Sequence, residues 1–98
     1  MIRHIVFWNL KDEAEGNDKK TNAEIIKTRL EALVGKIDGL LRAEVGLNYN
    51  PDGYDLCLYS EFTSRQALDF YQTHPLHVEI KDFVGKVVTQ RAVTDCEI

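Results

Sequence analysis

The amino-acid sequence predicts a single α+β domain in which a four-stranded antiparallel sheet carries helices on one face. Three observations lead to this fold class. Residues 2–10 contain β-branched and aromatic types without a breaker, which is typical of a strand. Apolar residues recur at helical spacing within 21–37 and again within 64–84, and strand-like sequence follows each of these stretches. The resulting order, β-α-β-β-α-β, is that of the ferredoxin-like fold.

The opening strand is predicted to be covered on both of its faces. One face carries Ile2, His4, Val6 and Trp8, and the other carries Ile5 and Phe7. Because both sets are largely apolar, we expect one face to pack on the protein's own helices and the other to pack on a further layer.

The first helix is predicted to begin at the capping box Thr21–Glu24 or one turn earlier. Its apolar stripe consists of Ile26, Leu30, Leu33 and Ile37, and charged residues occupy the opposite face. Gly39 is the predicted stop signal just past the end of this helix.

A hairpin is predicted in the middle of the chain. Residues 40–49 alternate imperfectly between apolar and polar types, which indicates a half-buried strand. Residues 50–53, Asn-Pro-Asp-Gly, favour a turn because proline fixes φ and glycine tolerates positive φ. The partner strand is predicted at 54–62. It carries Leu56, Leu58 and Phe62 on one face, with Cys57 and Tyr59 on the other.

The segment around Pro75 is the strongest local signal in the chain. A second helix with Ser64 as its candidate N-cap is predicted to end before Pro75, because the residue before a proline is pushed out of the α region. Proline suits the first turn of a helix, so a third helix is predicted from Pro75 to about Val84, with His74 as its N-cap. His77 then lies in the opening turn, where the backbone N–H groups disfavour an imidazolium. We therefore expect His77 to be neutral at neutral pH and able to accept a proton.

The closing strand is predicted at 86–94, with Gly85 marking its start. Helices on one face would leave the other sheet face bare, and that face would carry Ile5, Phe7, Cys57 and Tyr59. Soluble monomers rarely expose so broad an apolar area. A domain of 98 residues buries only about two thirds of the surface that its unfolded chain exposes, so it gains from a further partner. We expect a homodimer in which two such sheets pack face to face.

Composition argues against several classes of partner. The net charge is −4 and no dense Lys/Arg cluster occurs, which disfavours binding to nucleic acid or to anionic membrane surfaces. No apolar run has the length of a transmembrane helix, and the first residues do not have the form of a secretory signal. We expect one cytoplasmic domain spanning residues 1–98. Cys57 and Cys96 lack metal-site or redox spacing and are interpreted as reduced, small apolar residues.

No metal site or cofactor is predicted. His74 and His77 straddle the helix break, and no carboxylate completes a HExxH-like pattern. The acidic residues of 12–18 do not have the spacing of a calcium loop. The sequence also lacks a glycine-rich phosphate loop and a nucleophile elbow.

Three segments of the chain resemble the stress-responsive A/B barrel family, also called Dabb or dimeric α+β barrel proteins. They are Arg3–Trp8 followed by Lys11–Asp12, Gly35–Gly39 leading to Gly46, and Phe70–Val78. The last segment, with a tyrosine, a His-Pro pair and a second histidine, is the most specific. The resemblance implies the dimeric ferredoxin-like barrel and covers nearly the whole chain.

The resemblance also implies roles for individual residues. In a plant polyketide cyclase of this family, a tyrosine and a histidine on this helical segment act as an acid–base pair in an aldol-type ring closure. Those roles would belong to Tyr71 and His77, with His4 in the same pocket. Leu56 stands where the cyclase has a further pocket histidine, which is a departure in the ligand site.

The preferred interpretation is a homodimer that binds a small hydrophobic ligand between the helices and the sheet. The expected pocket is lined by His4, Val6, Trp8, Leu56 and Leu58. One alternative is a polyketide-cyclase-like enzyme in which His77 takes a proton and Tyr71 donates a hydrogen bond to the enolate. Another is an enzyme like the monooxygenases that build dimers on this same sheet. A purely structural role also stays open for each residue, with His4 and Tyr71 as core residues and His74 as a cap.

Overall fold

A computed structural model describes all 98 residues of the chain. The elements are β1 (Ile2–Leu10), β2 (Glu13–Ala14), β3 (Asn17–Asp18), α1 (Lys19–Glu31), β4 (Leu40–Leu47), β5 (Leu56–Phe62), α2 (Arg65–Thr73), α3 (Pro75–Val87) and β6 (Val88–Glu97). The main sheet has the order β4-β5-β1-β6 and is antiparallel throughout. The predicted ferredoxin-like fold is confirmed. A small hairpin of β2 and β3, which was not predicted, precedes α1. None of the three helices has the length and apolar character that a membrane span requires.

Strand β1 lies between β5 and β6 and alternates strictly between the two faces of the sheet. Its helix-facing residues are all buried: Ile2, His4, Val6, Trp8 and Leu10. The residues between them are half-buried or exposed: Arg3, Ile5, Phe7 and Asn9. This period of two follows from the pleat of the strand. The functional consequence is that His4 points toward the helices from the middle of the sheet.

Helix α1 follows the earlier of its two predicted starts and ends sooner than its apolar stripe suggested. Asp18 is the N-cap, and its carboxylate accepts a hydrogen bond from the Thr21 N–H at 2.8 Å. A carboxylate at this position also suits the positive end of the helix dipole. The helix ends at Glu31 with Ala32 as its C-cap, and the chain continues through turns in which Gly35 is left-handed (φ +86°). Leu33 and Ile37 remain buried although they lie beyond the helix.

Gly39, the predicted stop signal, serves a close approach between chain segments instead. Its φ is +86°, and an added Cβ would lie 2.5 Å from the Cβ of Ala67 in α2. The same addition at Gly35 would meet no atom within 4 Å. Gly39 therefore lets the chain enter β4 directly beside α2.

Two strands contain bulges that alternation alone did not predict. Leu40 pairs with Phe62 and Arg42 with Glu61, so Leu41 is an extra residue and its side chain is exposed. Asn9 of β1 pairs with Gln90 of β6, and Leu10 pairs with Val88, which leaves Thr89 as the extra residue of β6. Each bulge changes which residues of its strand face the helices.

Helix α3 is longer than the predicted segment and contains Gly85 in its last turn. An added Cβ at Gly85 would meet nothing within 4 Å, so no close contact requires a glycine at this position. The predicted strand at 86–94 accordingly lies further along the chain, at Val88–Glu97.

The outer face of the sheet, opposite the helices, is less apolar than the sequence suggested. The Arg3 Nε donates to the Tyr59 hydroxyl at 2.9 Å, and that hydroxyl donates to the Glu61 carboxylate at 2.5 Å. Arg42 lies over the Tyr59 ring, 5.6 Å from its centroid. This charged half adjoins an apolar half that contains Ile5, Phe7, Cys57 and Ala92.

Candidate functional site

A cavity of about 160 Å³ lies between α3 and the helix-facing side of β1. Its apolar wall consists of Val6, Trp8, Leu30, Leu58, Ile80, Val84 and Val88. The remaining lining residues are His4, Gln72, His77, Lys81, Gly85 and Arg91. The cavity thus combines a largely apolar wall with several basic side chains.

The His-Pro break between α2 and α3 positions His77 in this wall. Helix α2 ends at Thr73, and His74 is the N-cap of α3, with its Nδ1 accepting from the Leu76 N–H at 3.1 Å. Both features agree with the prediction. The first turn of α3 then places His77 beside Tyr71, and the two rings stack with their centroids 3.9 Å apart.

His77 is 8% exposed, and its Nδ1 is buried without a hydrogen-bond partner. Burial lowers the pKa of His77 to about 4, and the nearby charges of Lys81 and His4 act in the same direction. The backbone carbonyls of Gln72 and Tyr71 favour the charged ring, but neither meets hydrogen-bond geometry at Nδ1. The lowered pKa agrees with the neutral imidazole expected from the sequence. The cause differs from the predicted effect of the helix N–H groups, because desolvation of the ring is the largest contribution.

His4 occupies a different environment on the opposite wall. Its Nδ1 lies 2.5 Å from Oδ1 of Asp95, which is on the neighbouring strand β6 directly across from it. An ionised carboxylate accepts hydrogen bonds and donates none, so Nδ1 of His4 carries the proton. Nε2 is then the nitrogen that a neutral His4 has available as an acceptor. The sequence did not indicate Asp95, because its position opposite His4 depends on the pairing of β6 with β1.

Tyr71 is 1% exposed and is not among the residues that line the cavity. It packs edge-on against Phe62, with a centroid distance of 5.0 Å, and against His4 at 6.5 Å. Burial raises the pKa of its phenol well above the usual range. Tyr71 therefore contacts both histidines while remaining within the core.

Four of the five residues assigned to the pocket from the sequence line the cavity: His4, Val6, Trp8 and Leu58. Leu56 does not. It is buried across from Trp8, and it borders a separate recess on the side of Phe7 and Tyr54. The cavity residues that the sequence analysis missed include Gln72, Lys81 and Arg91. Helical spacing from His77 could have indicated Lys81, one turn further along α3.

No group of three or more His, Cys, Asp or Glu side chains lies close enough together to hold a metal ion. The free Cys57 and Cys96 lie outside the cavity lining.

The buried His77 makes the stability of the protein depend on pH. The unfolded chain binds the His77 proton near pH 6.5, whereas the folded chain resists it down to about pH 4. Folding stability due to His77 is therefore complete above pH 6.5 and declines as the pH falls toward 4, by about 3 kcal/mol in total. Urea unfolding at pH 7 and pH 4 should show that His77→Gln loses less stability than the wild type by about this amount.

The matched control for this experiment is Val78→Ala, a change at the residue beside His77 in α3 that removes no titratable group. It should lose as much stability as the wild type on acidification. Should His77→Gln fail to fold, an NMR titration of the wild-type ring gives the same answer directly. A His77 pKa near 6.5 would contradict the assigned environment.

The fold and the cavity can be compared with known proteins. The family model described as "Stress Responsive A/B Barrel Domain" matches residues 2–98. A Bacteroides fragilis structure, described as a dimeric protein of unknown function with a ferredoxin-like fold, is 36% identical with a TM-score of 0.88, covering 99% of this chain and 95% of that one. A Dabb family protein from Mesorhizobium loti is 23% identical with a TM-score of 0.77, covering 99% and 95%.

A hydroxynitrile lyase from Passiflora edulis is 21% identical with a TM-score of 0.79, covering 99% of this chain and 92% of that one. At this identity the likeness concerns the fold alone, as it does for the Mesorhizobium protein. A sequence comparison with functionally curated proteins finds no match. The family match over nearly the whole chain, together with the Bacteroides relative, shows that this chain belongs to the stress-responsive A/B barrel (Dabb) family.

Proposed function

We propose that this protein is a homodimer that binds a small, largely apolar molecule in the cavity between α3 and β1. The observation that carries the proposal is the cavity itself, whose wall is mostly apolar and also contains the imidazoles of His4 and His77. Apolar space of this kind favours an apolar ligand, and a small number of polar groups in the wall can orient it. The volume of about 160 Å³ is close to that of a cavity known to hold benzene.

Two observations support the homodimer. The apolar half of the outer sheet face includes Phe7, which remains 37% exposed beside Ile5 in the single chain. The Bacteroides relative, at 36% identity, is described as dimeric. Packing two outer faces together would cover the apolar half, and the charged residues around Tyr59 would form a polar rim, as in many protein interfaces.

The proposed dimer predicts the effect of a charge on the outer face. Phe7→Glu should raise the dimer dissociation constant by about 100-fold or more, because the carboxylate would be buried without a partner. Leu76→Glu is the matched control, since Leu76 is similarly exposed but lies on the helix side. Sedimentation equilibrium measures the dimer dissociation constant of each variant. A wild-type chain that is monomeric at micromolar concentration would contradict the dimer.

The proposed ligand site predicts the effect of filling the cavity. Trp8 is the single tryptophan and lines the cavity, so its fluorescence reports on occupancy. Benzyl alcohol, a neutral compound with a six-membered ring, should cause a saturable change in the Trp8 fluorescence of the wild type. It should cause no such change in Val84→Phe, because the larger side chain occupies the cavity. Val34→Phe, outside the cavity lining, should bind like the wild type. Equal binding by Val84→Phe would rule out this site, once circular dichroism has shown that the variant is folded.

A second candidate function is acid–base catalysis on a small carbonyl compound. The observation that favours it is the His4–Asp95 pair, because a carboxylate that holds Nδ1–H fixes the tautomer in which Nε2 can accept a proton. We place the base at His4. The C–H bond next to the carbonyl breaks, the proton moves to Nε2, and the electron pair forms an enolate. The enolate is stabilised by hydrogen bonding to a neutral His77, whose low pKa makes it a weak base.

Tyr71, which the family resemblance pairs with His77, supports this arrangement by stacking on the imidazole. Its phenol is proposed to orient His77 within the wall. The Passiflora hydroxynitrile lyase shares the fold, but its low identity means that this second candidate depends on the side chains of this chain alone.

The acid–base candidate predicts slow exchange of carbon-bound hydrogen in D2O. Cyclohexanone, whose ring matches the cavity in size, should exchange its α-hydrogens faster with the protein than in buffer. Asp95→Asn should reduce this exchange by about 100-fold, since an amide no longer favours the required tautomer. Asp82→Asn, an exposed change on α3, is the control. NMR follows the exchange, and a wild-type rate equal to that of buffer would leave ligand binding as the function.

A further inference from the structure

We propose that the natural ligand is a small monocarboxylate whose carboxylate is bound by Arg91 and Lys81 while its apolar body fills the cavity. This inference rests on the proposed ligand site and names the chemical class of its occupant. The carboxylate would lie at the mouth of the cavity, and a ring or branched chain of about six carbons would lie inside.

The lining of the cavity has one sign of charge. Arg91 and Lys81 both belong to it, and no aspartate or glutamate does. Asp95 is paired with His4 and is not a lining residue. In a chain with 16 acidic and 12 basic residues, a cavity lined by cations and no carboxylate contrasts with the protein's overall charge. An anionic ligand would complement it.

Both cations are free to bind an anion. Neither Arg91 nor Lys81 forms a salt bridge, whereas other basic residues do: Lys19, Lys27, Arg42, Arg65 and Lys86. A guanidinium can hold a carboxylate through two parallel hydrogen bonds, and a lysine adds a flexible point charge. The two side chains therefore provide complementary parts of a carboxylate site.

The cations come from opposite walls of the cavity. Arg91 lies on β6 directly across from Trp8 of β1, and the bulge at Thr89 lets both Arg91 and Val88 face the cavity. Lys81 lies one turn after His77 on α3. The charge of Lys81 is near enough to His77 to help lower the pKa of that imidazole, so the positive potential extends into the cavity.

The charged lining residues differ in burial from the apolar ones. Arg91 and Lys81 are exposed, whereas Val6, Leu58 and Trp8 are buried. A ligand with one charged end matches this gradient, because its carboxylate stays partly hydrated while its body leaves water. A dicarboxylate would have to bury its second charge without a partner.

The experiment compares sodium benzoate with benzamide, its neutral isostere, by isothermal titration calorimetry on the wild-type protein. Benzoate should bind about tenfold more tightly or better, as expected for a charge-assisted hydrogen bond at a partly exposed site. Arg91→Gln and Lys81→Gln should each reduce the benzoate preference, and Arg91→Lys should retain part of it because the charge remains while the fork is lost. Lys36→Gln, an exposed lysine outside the cavity lining, is the matched control and should change nothing.

The possible results separate this inference from the proposed function. A benzoate preference that Arg91→Gln abolishes supports the carboxylate site. Equal affinities for benzoate and benzamide, with binding still abolished by Val84→Phe, would overturn the carboxylate site and leave the ligand cavity in place. Absence of binding by both compounds and by benzyl alcohol would overturn both proposals. A preference that survives in the double variant Arg91→Gln/Lys81→Gln would also overturn the inference.

Discussion

The interruption of the helical layer at Pro75 is the constraint on which the site depends. Pro75 supplies no N–H and forces His74 into an extended conformation (φ −65°, ψ 133°), so α2 has to end at Thr73. The N-cap bond of His74 then starts a new helix at once. Because of this break, α3 runs past β1 with His77 in its first turn, and the cavity lies between them. A continuous helix would place these residues along one straight axis.

The two cavity histidines illustrate how position sets chemical character. His4 lies on a strand, and the neighbouring strand provides a carboxylate at hydrogen-bond distance. His77 lies on a helix, stacks on a buried phenol ring, and has no partner for Nδ1. Desolvation dominates at His77, whereas a specific partner orients His4. The cavity thus contains one imidazole that a carboxylate orients, His4, and one that burial keeps neutral, His77. This difference supports assigning separate roles to the two histidines.

Much of the fold followed from local signals, and the exceptions have physical causes. The alternation of β1, the caps at Ser64 and His74, and the proline break all depend on neighbours in sequence, and the structure contains each of them. The early end of α1 was missed because buried Leu33 and Ile37 continue the helical spacing after the helix has stopped. The charged half of the outer face was missed because period-two patterns do not show which side chains pair across strands.

The candidate site divides in the same way. His77 and the β1 residues could be assigned to a pocket from helix breaks and strand alternation. Arg91 and Asp95 could not, because the bulge at Thr89 sets which residues of β6 face the helices, and a bulge depends on strand pairing. Tyr71 was assigned to the site through the family resemblance, whereas packing against Phe62 keeps it in the core.

The register of β6 has an evolutionary consequence. Substitutions in this strand should be tolerated at the exposed positions outside the cavity and the proposed interface, but the gain or loss of a single residue after Thr89 would invert every following side chain. Such a change would move Asp95 away from His4 and turn Arg91 outward in one step. We expect descendants of this protein to vary in the composition of that strand far more readily than in its length.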